Sequence, residues 1–302
     1  MSASAQIGGF AAPEVNRILA TACRRAGLDP AGAEVLRGHT NGVFRLGTAP
    51  VVVKVARRGT RPVGVRRTVQ LVEWLTGHGF PTVPLHPVEQ PVLVDEHAVT
   101  FWTYLPQPEH PVRAEQLAGP LARLHRLPEP PCRLRPLDTV GAIRRSLATI
   151  SALATLSVPD LVYLTTRLAR LEKRLTELRF ALPPGILQGD PQHRNALHDG
   201  GRAVLCDWDT ASYGPPEMDL VTIEIHCRRF GYGPAHYAAF AAAYGFDVTA
   251  WDGYPVLRDL RELRMITTNA KRAAPGSRTW AEVRGRIAGL RTEDHTQRWR
   301  IL

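Results

Sequence analysis

The chain has 302 residues, 44% of them apolar, with 38 Lys and Arg against 28 Asp and Glu for a formal charge of +10. That length supports two packed lobes, each with its own core, and charges and prolines break every apolar run, which excludes a membrane span. The basic excess argues against a nucleic-acid partner, because it is spread along the chain (about +4 over residues 1–104, +1 over 105–219 and +5 over 220–302) and lies almost wholly in Arg.

Four cysteines, Cys23, Cys132, Cys206 and Cys227, are scattered with no CxxC or Cys/His cluster. They read as free, mostly buried thiols of a reducing compartment. Residues Met1–Gln6 lack the basic start and long apolar core of a signal peptide. The expected location is the cytoplasm.

In chain order, Val15, Ile18, Leu19 and Ala22 recur at helical spacing and predict a helix over residues 11–27. Residues 35–46 read as strand, tight turn and strand, with Gly38, Asn41 and Gly42 supplying the backbone freedom of the turn. Val51–Ala56 is a β-branched strand carrying one lysine, Lys54. A helix is expected over residues 64–78, with Val65, Val69, Val72 and Leu75 on one side, then strands at 91–94 and 97–104. Prolines 106, 108 and 111 mark a linker. Beyond it, helices are expected near 113–127, 138–154, 159–181, 217–230, 234–245, 254–273 and 279–291. A β-rich first third feeding a helical remainder predicts an α+β fold of two lobes with a cleft between them, divided at 1–104 and 105–302.

The chemistry concentrates in Gln188-Gly189-Asp190-Pro191-Gln192-His193-Arg194-Asn195 and the following Val204-Leu205-Cys206-Asp207-Trp208-Asp209. Gly189 and Pro191 keep Asp190 out of regular structure, so it sits on a loop, as a base toward a substrate hydroxyl or as a turn cap. The turn at His198–Gly201 implies a hairpin that brings Asn195 and Asp207 together at one end, where their hard oxygens suit Mg²⁺. Asp209 either adds a contact there or caps the next turn, and Asp219 is expected to brace the loop from a helix N-terminus. Lys54 needs a counter-charge or a phosphate if it is partly buried, or else it points to water from an edge strand. Glu73, on the following helix, is its candidate partner or an ordinary surface residue. The turn Gly38–Gly42 can cradle phosphates through its backbone N–H groups and the Thr40 and Asn41 side chains, or simply join two strands. His39, His193 and His226 read as surface or loop histidines.

These motifs, with Gly214-Pro215-Pro216-Glu217-Met218-Asp219-Leu220, resemble the aminoglycoside phosphotransferase family, which also covers choline, homoserine and other small-molecule kinases. The resemblance runs over most of the chain and implies a protein-kinase-like bilobal fold: a β-rich N-lobe with one main helix, and a mostly helical C-lobe. It implies a nucleotide loop at Gly38, Thr40, Asn41 and Gly42, and a phosphate-binding Lys54 held by Glu73. Adenine would lie against the backbone of Thr103 and Leu105, with Trp102 behind. Asp190 would be the catalytic residue, and Asn195 and Asp207 the Mg²⁺ ligands.

The reaction so implied is transfer of the γ-phosphate of ATP or GTP to a hydroxyl of a small molecule, in antibiotic resistance or in metabolism and biosynthesis. Gln188 and Gln192 stand where the family usually has histidines, which leaves a catalytically weak nucleotide-binding regulator as the alternative. Arginines outnumber acids over residues 217–302, which points toward a neutral or anionic acceptor. The oligomeric state is left open.

Overall fold

The computed structural model describes residues 7–38 and 40–302, so the expectations for Met1–Gln6 and His39 lie outside the described residues. The chain forms two compact units. One comprises the chain up to Val112 with Pro128–Leu134 and Arg194–Ala211; the other comprises Arg113–Leu127, Arg135–His193 and Ser212–Leu302. The class is α+β, with a β-sheet N-terminal region and a helical C-terminal region, as expected.

In the first unit, α1 (Ala12–Arg25) buries Val15, Ile18, Leu19, Ala22 and Cys23, the stripe of an amphipathic helix. Strands β1 (Glu34–Arg37), β2 (Gly42–Arg45) and β3 (Val51–Val55) precede α2 (Pro62–Gly77), and β4 (Val92–Val94) and β5 (His97–Thr103) follow it. The five strands form one sheet in the order β1-β2-β3-β5-β4, with every neighbouring pair antiparallel. Along β3 burial alternates: Val51, Val53 and Val55 are buried while Val52 and Lys54 are half-buried. Successive strand side chains point to opposite faces. The three valines therefore join the α1 core with Phe10, Phe44 and Phe101, and Lys54 is delivered to the other face.

The second unit starts with α3 (Ala114–Leu124), β6 (Arg135–Pro136), α4 (Thr139–Leu153), α5 (Val158–Thr176) and β7 (Gly185–Leu187). The chain then contributes the hairpin β8 (Ala196–Asp199) and β9 (Arg202–Leu205) to the first unit. It returns to the second with β10 (Ser212–Gly214), α6 (Glu217–Arg229), α7 (Pro234–Tyr244), α8 (Tyr254–Ala270) and α9 (Arg278–Arg291). All seven helices expected beyond the linker form, with ends displaced by a few residues. The small sheet β6-β10-β7 was not expected: strands of two or three residues carry no period to read. Gly185 is required where β7 passes α3, because a Cβ there would lie 2.3 Å from the His125 carbonyl oxygen.

Helices α4, α5, α8 and α9 share one apolar core, with Ile143, Leu147, Leu164, Leu260, Leu263 and Ile287 among its members. Part of the arginine excess is internal to this unit. Arg229, 1% exposed, grips Glu262, 0% exposed, through Nε at 2.8 Å and Nη2 at 2.9 Å. Its Nη1 donates to the Asp294 and Gln297 carbonyls at 2.8 and 2.9 Å. Arg228 pairs with Glu224 at 2.7 Å and with Glu262 at 2.9 Å. These are fully hydrogen-bonded charges, the condition under which burial is tolerated.

Candidate active site

In the first unit the site is built on the β8–β9 hairpin. The register Ala196↔Leu205 puts Asn195 opposite Cys206, whose N–H donates to the Asn195 carbonyl at 2.9 Å. Asn195 and Asp207 therefore lie at one end of the hairpin. The hairpin is tied to Pro81–Val83: the Leu205 N–H donates to Pro81 O at 2.9 Å, and the Val83 N–H to Leu205 O at 3.1 Å. Thr82 Oγ1 donates to the Leu205 carbonyl at 3.1 Å and accepts from Trp208 Nε1 at 2.9 Å. Asp207 itself has φ of +58°, an uncommon conformation for a non-glycine residue and a form of strain that concentrates at functional positions.

Lys54 meets two carboxylates, Asp207 Oδ1 at 2.7 Å and Asp209 Oδ2 at 2.8 Å. Burial alone would lower the lysine's pKa, but the two aspartates outweigh it and raise it above the usual range. Burial likewise works against Asp207, yet Lys54 in contact and Arg37 nearby hold its carboxyl below the usual carboxylate range. Between them Cys206 is inert, its thiol pushed up to about 12 by burial and by Asp207. Two carboxylates thus share one ammonium, with Arg37 nearby, and their hard oxygens are of the kind that suits a divalent cation.

The expected Lys54–Glu73 pair is not formed. Glu73 is exposed on α2, whereas Leu71, Val72 and Leu75 are buried. Packing of those apolar groups fixes the rotation of the helix and leaves Glu73 just outside its buried arc. The phosphate turn is also altered from expectation. Gly38, Thr40, Asn41 and Gly42 do lie together between β1 and β2, with Thr40 exposed. Asn41, however, is turned inward: its Nδ2 donates to Asp209 Oδ2 at 3.0 Å and its Oδ1 accepts from the Arg57 N–H at 3.0 Å. It is a strut for the Lys54 cluster. At the end of β5, Trp102 is buried and donates Nε1 to Thr100 Oγ1 at 2.9 Å. The Thr103 N–H goes to Pro84 O and that of Tyr104 to Pro50 O. The Leu105 carbonyl accepts from Gln107 Nε2 at 2.9 Å.

In the second unit Asp190 sits on the loop after β7. Gly189, with φ of +83°, makes the turn that only glycine adopts freely. Asp219, in the first turn of α6, braces this loop as expected, accepting the Gln188 N–H at 2.8 Å and the Gly189 N–H at 2.9 Å. Gln188 Oε1 accepts the Asp190 N–H at 2.7 Å, and Gln192 Nε2 donates to Asp190 Oδ2 at 2.7 Å. The two glutamines thus hold the aspartate directly. Asp190 Oδ1 is ion-paired with Arg261 Nη2 of α8.

His193 and His226 are buried, 3% and 5% exposed: His193 is on the loop connection as read but not at the surface, and His226 is neither surface nor loop, lying within α6. His193 stacks on Tyr232 with ring centroids 4.0 Å apart and has its Nε2 3.2 Å from that of His236. Because His236 Nε2 accepts the Ala114 N–H at 2.9 Å, His193 is the donor in the imidazole pair. Burial, with His226 and His236 nearby, pushes His193 down to about 3. Burial also pushes His226 down to about 4, Arg261 adding to the effect and Asp190 opposing it.

Asp209 takes the first of its two expected roles, contacting Lys54 beside Asp207. The pairing of Arg261 with Asp190 had no signal in the sequence, because it is a contact across 71 residues of chain.

The family model described as the phosphotransferase enzyme family matches residues 32–260. Among solved structures, the amicoumacin kinase hAmiN superimposes with a TM-score of 0.71 at 13% identity, covering 95% of this chain and 97% of that one. A choline/ethanolamine kinase family protein from Mesorhizobium loti gives 0.66 at 17% identity, with 93% of each chain covered. An aminoglycoside-3'-phosphotransferase of type VIII gives 0.60 at 22% identity, with 81% and 98% covered. No curated protein matches the chain by sequence. At such identities the structural likeness speaks for the fold, while the family match spans most of the chain and carries its motifs. The chain belongs to the phosphotransferase enzyme family.

Proposed function

We propose that the protein transfers the γ-phosphoryl group of ATP, or of GTP, to a hydroxyl of a small molecule. The observation that supports this reading most is the ion pair of Lys54 with Asp207, which joins across 153 residues the lysine and the carboxylate that this reading assigns to the phosphates and to the metal. Support comes from the amicoumacin kinase, solved with AMP-PNP and Ca²⁺, and from a spectinomycin phosphotransferase solved with ADP and spectinomycin.

In this reading residues 1–104 bind the nucleotide and residues 105–302 supply catalysis and acceptor binding. The backbone of the Gly38–Gly42 turn covers the phosphates and Lys54 holds the α- and β-phosphates. Adenine bonds to the backbone of Thr103 and Leu105, whose N–H makes no hydrogen bond among the described residues, and Trp102 stands behind it. Asn195 and Asp207 hold Mg²⁺, which when bound neutralises phosphate charge. Asp190 orients the acceptor hydroxyl and takes its proton as the hydroxyl oxygen bonds to the γ-phosphorus. The bond to the β,γ-bridging oxygen breaks, and its electron pair leaves with the nucleoside diphosphate. Catalysis is mainly positioning and charge neutralisation. A cytoplasmic location fits the need for nucleotide and the four free thiols.

The test is Mg²⁺-dependent nucleotide turnover over a panel of aminoglycosides, peptide antibiotics, choline, homoserine and sugars. Asp190→Ala and Asp207→Ala are each expected to lower acceptor-stimulated turnover by roughly 10²–10⁴-fold. Tight Mg·nucleotide binding with no turnover would favour the regulator. Absence of nucleotide binding, or turnover indifferent to both substitutions, would overturn the proposal.

A further inference from the structure

Helix α8 carries Arg258, Arg261 and Arg264 three residues apart, so successive guanidinium groups rise along one side of it. Their partners differ. Arg258 shares the Asp259 carboxylate, at 2.8 Å, with Arg167, at 2.7 Å. Arg261 reaches Asp190 through Nη2, while its Nε is buried with no acceptor. Arg264 makes no ion pair among the described residues, and its guanidinium has a single hydrogen bond, Nη1 to the Ala142 carbonyl at a long 3.4 Å. Burial, and the positive charge of Arg261 and Arg145, pull it below the usual guanidinium range against the pull of Asp138 and Asp190.

The contrast with Arg229 in the same unit is instructive. There all three guanidinium nitrogens are hydrogen-bonded. A buried donor without an acceptor, such as Arg261 Nε, is costly, and a guanidinium cannot escape by losing its proton; the remaining Arg264 donors are not buried. Open donors on two arginines one helical turn apart, one of them already on the loop aspartate, describe a receptor for an oxyanion.

Resting on the phosphotransferase reading, we propose that the acceptor is a hydroxylated anion whose carboxylate or phosphate group is bound by Arg261 and Arg264. The oxyanion competes with Asp190 for Arg261 and frees Oδ1 to face the hydroxyl proton. A cationic acceptor would meet two arginines and be rejected. Arg261 and Arg264 are thus specificity-determining residues, and binding of the acceptor's charge is coupled to release of Asp190.

The experiment is calorimetric titration of the full chain with four probes: lactate, glycerol 3-phosphate, glycerol and choline. At least one of the first two is expected to bind, and which one does identifies the oxyanion; glycerol and choline are not. Arg264→Gln should weaken anion binding roughly tenfold or more. Arg144→Gln, which removes an exposed arginine paired with Glu172, should leave it unchanged and so controls for net charge. Arg264→Lys keeps the charge without the fork and should fall between, which covers a Gln variant that fails to fold. No binding of either anion, binding indifferent to Arg264→Gln, or preferential binding of choline would overturn the inference. Mg·AMP-PNP binding, measured in parallel, separates the two readings. Its absence would sink the phosphotransferase proposal and leave an anion result standing, whereas nucleotide binding without anion binding would sink this inference alone.

Discussion

Lys54 in the first unit and Asp190 in the second are both ion-paired, but with opposite balances. Lys54 is one cation shared by two carboxylates, with Asn41 bracing the second of them. Asp190 is one carboxylate beside Arg261, with Arg264 one helical turn further along α8. In the first cluster two carboxylates share one ammonium, with Arg37 nearby; in the second two guanidinium groups stand beside one carboxylate. Unbalanced clusters of this kind are unlike the Arg229–Glu262 pair, whose donors are all used. Such clusters are candidates for binding charge from outside.

Acid should separate the two units most strongly. His226 is buried neutral in the second, and its folded pKa of about 4 lies below the ordinary 6.5. As pH falls from about 6.5 toward 4 the unfolded chain takes up a proton that the folded chain refuses, so stability declines through that window. The loss should reach on the order of 2–3 kcal/mol. Urea unfolding across that range checks it. His193, also buried neutral and pushed down to about 3, adds to the slope, so His226→Leu is expected to reduce it by about half. An equal slope in the variant would remove His226 as a contributor.

Next in size is Lys54→Met. It removes the cation that Asp207 and Asp209 share, and since both carboxylates are more than a third exposed and Arg37 stays near Asp207, the expected destabilisation is limited to about 2 kcal/mol. Thermal melting in excess EDTA measures it without interference from a bound cation. Arg264→Leu should act in the other direction by about 1 kcal/mol, because it removes a half-buried guanidinium with one long hydrogen bond. If both substitutions destabilised the protein alike, the claimed difference between the clusters would fall.

Much of the architecture was legible because it rests on local pattern. The β-branched run Val51–Val55 was read as the strand that carries Lys54, and the turn at Gly200-Gly201 closed the hairpin that joins Asn195 to Asp207. Asp219 was read as the brace of the Asp190 loop, and it accepts two of that loop's N–H groups. The short strands β6, β7 and β10 were not legible, nor was the burial of His193 and His226. His193 gains its surroundings from Tyr232 and His236, some forty residues away in sequence.

The sequence by itself determined the α+β class, the helices, the longer strands and the hairpin that brings Asn195 and Asp207 to one end, because periodicity, turn chemistry and motif spacing act over a few residues. Only the tertiary structure decided which charges meet. Lys54 took Asp207 and Asp209 instead of Glu73, since apolar packing fixed the rotation of α2 before any ion pair had a say. Arg261 came to rest on Asp190 because the packing of α8 carried it there. Ion pairing is weakly encoded in local sequence. It follows from where burial of the apolar faces, the stronger term, leaves the charged groups.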